Sequence, residues 1–110
     1  MASKGQKKLW FDEAVRHLAT LCSQSKEYAD EGDTLPTDVG HKQAVEVLRA
    51  YRHASAPDVA ISVNGDIVFS WVSHGDTFKA FVRPSGDVCY YRNKDLVDQK
   101  AFAKLTAVPA

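Results

Sequence analysis

From Pro57 to Arg92 the chain reads PDVAISVNGDIVFSWVSHGDTFKAFVRPSGDVCYYR. Four short runs alternate apolar with polar side chains, and three turns, each containing a glycine, divide them. Alternation with a period of two marks strands. Glycine-containing breaks between such runs mark hairpins. The stretch predicts an antiparallel meander of four strands.

Each register follows from one requirement. Apolar residues must share a face, because a slip of one residue turns every side chain over. At Asn64-Gly65 a two-residue loop pairs Ile61 with Val68, which sets Ile67, Phe69 and Trp71 on the face opposite Val59 and Ile61. A three-residue loop, Val63-Asn64-Gly65, with Gly65 left-handed in a bulge, pairs Ile61 with Ile67 and Val59 with Phe69, and it is the form expected. His74-Gly75 suits a two-residue loop and sets Trp71 opposite Phe78, Phe69 opposite Ala80 and Ile67 opposite Val82. At Pro84-Ser85-Gly86, proline presets the first turn residue and glycine takes the left-handed place. That sets Val82 opposite Val88 and Ala80 opposite Tyr90. One continuous apolar face results, made of Val59, Ile61, Ile67, Phe69, Trp71, Phe78, Ala80, Val82, Val88 and Tyr90. It requires a cover of helices.

The opposite face is about half apolar, where a solvated face should be mostly polar. Ala60, Val68, Phe81 and Cys89 form a row across it. Val72 and Tyr91 flank the row, and Ser70, Thr77 and Lys79 lie beside it. Contiguous apolar surface that includes aromatic and cationic side chains has the composition of contact surfaces. The partner-binding candidates are therefore Val68, Val72, Lys79, Phe81, Arg83, Cys89 and Tyr91. The competing expectation is that a C-terminal helix folds over the row with Phe102 and Leu105.

The rest of the chain supplies the cover. Met1 to Lys8 is basic and lacks large apolar residues, and it reads as a flexible terminus. Leu9 to Glu31 carries Phe11, Ala14, Val15, Leu18, Leu21 and Cys22 at helical spacing, and Gly32 is a natural stop. Trp10 lies off that stripe, as a lid over the sheet edge or as part of an interface. After a loop through Pro36, Thr37 or Asp38 caps a second helix. Its stripe is Ala44, Val45, Leu48 and Tyr51, with Val47 to one side. Beyond Arg92, Asn93-Lys94-Asp95 reads as a turn, and Asp98 caps a short helix. The whole predicts one α+β domain over residues 1–110: two N-terminal helices, a four-stranded antiparallel meander and a short C-terminal helix.

Composition narrows the function. At 110 residues the chain can build one core without staples. It carries 14 Lys and Arg against 14 Asp and Glu, a balance that argues against phosphate neutralisation and so against nucleic acid as partner. Any nucleic-acid site would have to be a local cluster such as Lys42, Arg49 and Arg52. No apolar run is long enough to span a bilayer, and Asp12-Glu13 interrupts the segment that would otherwise suggest a secretory leader. With two cysteines, Cys22 and Cys89, and no Cys-x-x-Cys, the expectation is a cytoplasmic protein with reduced thiols. No cofactor or metal is expected. His41 and His53 are too far apart on one helix to share a metal, and His17 and His74 lack a second ligand at a suitable spacing. Ser73, His74, Asp76 and Asp87 are the only group resembling a hydrolytic set, and no nucleophile elbow or phosphate loop accompanies them. A reactive Cys89 thiol near Lys79 or Arg83 is the other enzymatic option.

The pattern P-x-V-x-I-x-x-x-G-x-I-x-F-x-W, then F-x-A-x-V-x-x-x-G-x-V-x-Y-Y, resembles that of small uncharacterised bacterial and phage proteins in which one or two helices precede a β-meander. The resemblance implies a mobile-element or stress-associated protein that acts by binding. Anti-CRISPR proteins and toxin-neutralising partners are built at this size. No catalytic residue comes with the resemblance. The expected function is that of a non-catalytic protein-binding module, an inhibitor that sterically occludes a larger protein through the outer face or through an edge strand, Pro57–Ser62 or Val88–Arg92. A homodimer through the same face is the alternative, and a small hydrolase or thiol enzyme ranks behind it.

Overall fold

Three backbone reversals set the sheet, and each has a glycine at positive φ: Gly65 at 81°, Gly75 at 81° and Gly86 at 94°. The computed structural model describes residues 2–28, 34–52, 54–73, 75–98, 100 and 102. Two helices come first, α1 (Ala2–Tyr28) and α2 (Asp38–Ala50). Five strands follow: β1 (Asp58–Ile61), β2 (Ile67–Ser73), β3 (Asp76–Val82), β4 (Val88–Arg92) and β5 (Asp95–Val97). They form one antiparallel sheet in the order β1-β2-β3-β4-β5, so the fold is α+β.

The three inferred registers hold. Ile61 faces Ile67 and Val59 faces Phe69. Trp71 faces Phe78 and Ile67 faces Val82. Ala80 faces Tyr90 and Val82 faces Val88. The first loop has the three-residue form: Ser62 N–H donates to the Asp66 carbonyl at 2.9 Å, and Gly65 N–H to the Ser62 carbonyl at 3.0 Å. Gly65 is required twice over. A Cβ there would meet the Leu35 carbonyl oxygen at 2.8 Å, besides being forced into the left-handed region. The Leu35 loop lies this close because Thr34 N–H donates to the Val63 carbonyl at 3.0 Å.

The sheet has five strands, where the sequence predicted four. Asn93-Lys94-Asp95 was expected only as a turn. Instead Asn93 and Lys94 form a two-residue loop, and the chain returns along β4 with Arg92 facing Asp95, Tyr91 facing Leu96 and Tyr90 facing Val97. Asn93 takes φ 55°, a left-handed value that asparagine tolerates better than most residues. Its side-chain oxygen accepts from Thr77 N–H at 3.0 Å, its own N–H donates to the Thr77 carbonyl at 2.6 Å, and its amide donates to Asp76 Oδ1 at 3.1 Å. These bonds anchor the turn to the second hairpin. Val88–Arg92 is therefore an interior strand and not the edge strand expected, because β5 holds its second side at Tyr90, Tyr91 and Arg92.

Three further points concern the helices. Residues 2–8, expected to be a flexible terminus, continue α1 toward the N-terminus; the straight-chain Lys4, Gln6, Lys7 and Lys8 are good helix formers. The expected end of α1 at Glu31 and Gly32 lies outside the described residues. No C-terminal helix stands among the described elements. The chain after β5 shows one helical contact, Phe102 N–H to the Asp98 carbonyl at 3.2 Å, and a helix through Ala101 and Leu105 lies outside the described residues.

Thr37 caps α2, its hydroxyl oxygen accepting from Gly40 N–H at 2.9 Å. The same hydroxyl donates to the Pro84 carbonyl at 2.6 Å, which docks the start of α2 on the third turn. The buried stripe of α2 is Ala44, Val47, Leu48 and Tyr51. Val47 belongs to it and Val45 is only half-buried, because the stripe of a globular helix is wider than a single row. These side chains meet Leu18 and Cys22 from α1 and Ile67, Phe69, Trp71, Ala80 and Val82 from the sheet. Trp71 Nε1–H donates to the Ser55 carbonyl at 2.9 Å, so its ring packs without stranding a donor. Phe102 is fully buried on this same side, with ring centroids of Tyr90 at 4.7 Å, Tyr51 at 5.2 Å, Trp71 at 5.6 Å and Phe78 at 5.8 Å. Among the described residues no helix is long and apolar enough to cross a membrane.

Candidate functional site

The strand pairings place Ala60, Val68, Phe81 and Cys89 side by side across four strands, as the alternation predicts. The neighbouring row runs Asp58, Ser70, Lys79, Tyr91 and Leu96 across all five. Phe81 and Tyr91 are diagonal neighbours, and their rings meet edge to face at 5.3 Å and 76°. Val68, Phe81, Cys89 and Tyr91 are half-buried by one another. Val72 and Leu96 stand 71% and 67% exposed at the margins. Phe102, one of the two residues expected to cover this row, packs on the opposite face; Leu105 lies outside the described residues. Among the described residues, neither helix crosses the row.

Arg83 is not a free cation here. Its Nε donates to Asp66 Oδ1 at 2.9 Å, and Asp66 is only 8% exposed. Asn64, Asp66, Phe81, Arg83, Cys89 and Tyr91 surround a hollow of about 250 Å³ at this end of the face. The pairing of Asp66 with Arg83 was open to sequence reasoning, since Ile67 opposite Val82 sets those two residues opposite each other. Leu96 was not, because it joins the face only through β5. The site residues inferred from sequence, Val68, Val72, Lys79, Phe81, Arg83, Cys89 and Tyr91, thus share one face, with Arg83 engaged in an ion pair and Val72 at the margin.

The chain matches no protein-family model, no curated protein and no solved structure.

The chemistry-bearing residues scatter. Cys89 lies on the outer face and Cys22 in the core; both are free thiols. Burial pushes the Cys22 thiol up against a smaller opposing pull from Lys26. Ser73 faces Asp76 across the second hairpin, whereas Asp87 belongs to the turn at the other end of β3 and hydrogen-bonds Ser85 at 3.1 Å. Asp76 takes Arg92 at 2.6 Å and Asn93 at 3.1 Å. His53 and His74 lie outside the described residues. Among the described residues no three His, Cys, Asp or Glu side chains gather as metal ligands would. Of the basic residues on and after α2, Lys42 and Arg52 are exposed, while Arg49 pairs with Glu46 at 3.7 Å and lies 5.9 Å from the centre of the Phe11 ring.

A second concavity, about 370 Å³, opens where α1 passes the edge strand β1, between Trp10, Glu13 and His17 on one side and Pro57, Asp58 and Val59 on the other. Trp10 therefore sits beside the sheet edge. Its Nε1–H is buried and has no acceptor among the described residues. Such an orphan donor costs about 1–3 kcal/mol.

Proposed function

We propose that the protein is a non-catalytic protein-binding module, and that its contact surface is the outer face of the sheet around Val68, Phe81, Cys89 and Tyr91. The observation that carries the reading is that, among the described residues, no helix crosses this apolar and aromatic row while Phe102 fills the core on the other side. Open apolar patches of this kind mark contact sites, a few residues, Tyr prominent among them, carry most of the energy in such contacts, and a cation at the margin adds charge selectivity. Lys79, facing Tyr91 across β3 and β4, is that cation. The resemblance to small uncharacterised bacterial and phage proteins implies an inhibitor that works by occlusion, in which seating the sheet on a larger protein covers that protein's working surface.

The test is comparative capture from the cells that make the protein. Wild type, Phe81→Asp, Leu96→Asp and the helix-side control Val39→Asp, at a residue 60% exposed on α2, are used as baits. The reading expects a protein retained by wild type and Val39→Asp and lost from both outer-face variants. Equal capture by all four overturns it. Sedimentation of the same proteins separates the alternative: a dimer that Phe81→Asp dissociates would assign the face to self-association.

A further inference from the structure

We propose that the open edge of β1, together with the groove beside it, binds an extended peptide segment carrying a lysine or arginine side chain. This surface is separate from the apolar row around Phe81, with Asp58 at the border of the two, and the inference does not rest on that row.

Among the described residues β1 is an end strand, paired on one side only. Ser62 directs its N–H to Asp66 in β2's direction. By alternation Ala60 and Asp58 do the same, and Val59 and Ile61 turn their N–H and carbonyl groups outward. The next outward carbonyl in the series, at Val63, already accepts Thr34 N–H at 3.0 Å. Backbone thus already hydrogen-bonds to the turn beside this edge, and Asp58–Ile61 offers outward groups of the same kind.

The groove gives the edge its selectivity. Trp10, Glu13 and His17 share one face of α1 through spacings of three and four residues. They confront Pro57, Asp58 and Val59 across about 370 Å³, at the low end of the roughly 300–1,000 Å³ typical of ligand pockets. That is room for one long side chain. In a strand added at Val59, alternate side chains point to the side where the groove lies. Glu13 and Asp58 are exposed carboxylates, and no Lys or Arg is among the described residues that line the groove. A cationic side chain is the complement, and the Trp10 ring offers it an aromatic face. The orphaned Trp10 N–H adds an independent reason to expect a partner at this place. A backbone carbonyl arriving at the edge supplies the missing acceptor once the indole turns toward the groove.

The experiment titrates the full chain, followed by amide and indole NMR, with a short blocked peptide of alternating threonine and valine around a central arginine. Its twin carries a central glutamate. The expected result is that the arginine peptide shifts the amides of Val59 and Ile61 and the Trp10 indole. It should bind about tenfold more tightly than the glutamate twin, and the preference should vanish in Glu13→Gln combined with Asp58→Asn. Trp10→Phe keeps the ring and removes the donor, so it should weaken the arginine peptide several-fold while slightly raising the Tm of the free protein. No shift at Val59 and Ile61, equal affinity for the two peptides, or a preference that survives the double substitution overturns the proposal.

Discussion

The two faces of this sheet are built from the same strands and differ most in what covers them. On the core face, Ile67, Phe69, Trp71, Ala80 and Val82 are at most 1% exposed. On the other, Val68, Phe81, Cys89 and Tyr91 are half-buried, and Val72 and Leu96 stand out in solvent. One face has a roof of helices and Phe102; the other has apolar residues and no roof among the described residues. Stability is concentrated on the first, and the second is the face we propose for a partner.

That contrast can be broken in several ways. The largest effect belongs to Phe69→Asp. An unpaired charge in the core costs several kcal/mol, on the order of the roughly 5–15 kcal/mol margin of a domain, and circular dichroism should show an unfolded chain. Phe102→Ala should cost about 3–5 kcal/mol, seen as a lower urea midpoint. A loss below about 1 kcal/mol would mean that Phe102 is not part of the roof.

Alkaline titration probes the same roof. Burial, reinforced by Tyr90, pushes the Tyr51 hydroxyl up from 10.0 to about 12, and burial also raises Tyr90. The native state then holds protons that the unfolded chain releases. Stability from Tyr51 is intact below pH 10 and is lost as pH rises from there through about 12. The loss should be about 2–3 kcal/mol, followed by denaturant midpoints against pH and by tyrosinate absorbance. Unchanged midpoints over that range would place Tyr51 outside the core. A smaller effect separates the turns: Gly65→Ala meets the Leu35 carbonyl, whereas Gly75→Ala meets nothing within 4 Å. Both carry the left-handed penalty of about 1–3 kcal/mol. Gly65→Ala should lower the Tm further, and equal losses would remove the Leu35 contact from the account.

The registers were legible because three glycines mark the turns and the apolar set must share a face. The outer row, Val68, Phe81, Cys89 and Tyr91, followed directly from them. The turn at Asn93 was legible, but β5 was hidden because it is only three residues long, Asp95–Val97, and its hairpin is held by bonds to Thr77 and Asp76, residues far away in sequence. Leu96 was lost with it. The direction taken by Phe102 was open for a similar reason: a lone aromatic in a short segment fits either face by spacing, and only the ring cluster of Tyr51, Trp71, Phe78 and Tyr90 decides between them. The groove at Trp10 left one trace in sequence, an indole off the apolar stripe of α1, and its meaning depends on where β1 ends the sheet.

The most direct test is the urea denaturation curve of Phe81→Asp. With a free outer face, the substitution removes the edge-to-face pair with Tyr91 and some strand preference. The protein should stay folded with a loss of about 1–2 kcal/mol. Unfolding of Phe81→Asp to the extent expected of Phe69→Asp would show that this face is covered and would contradict the account.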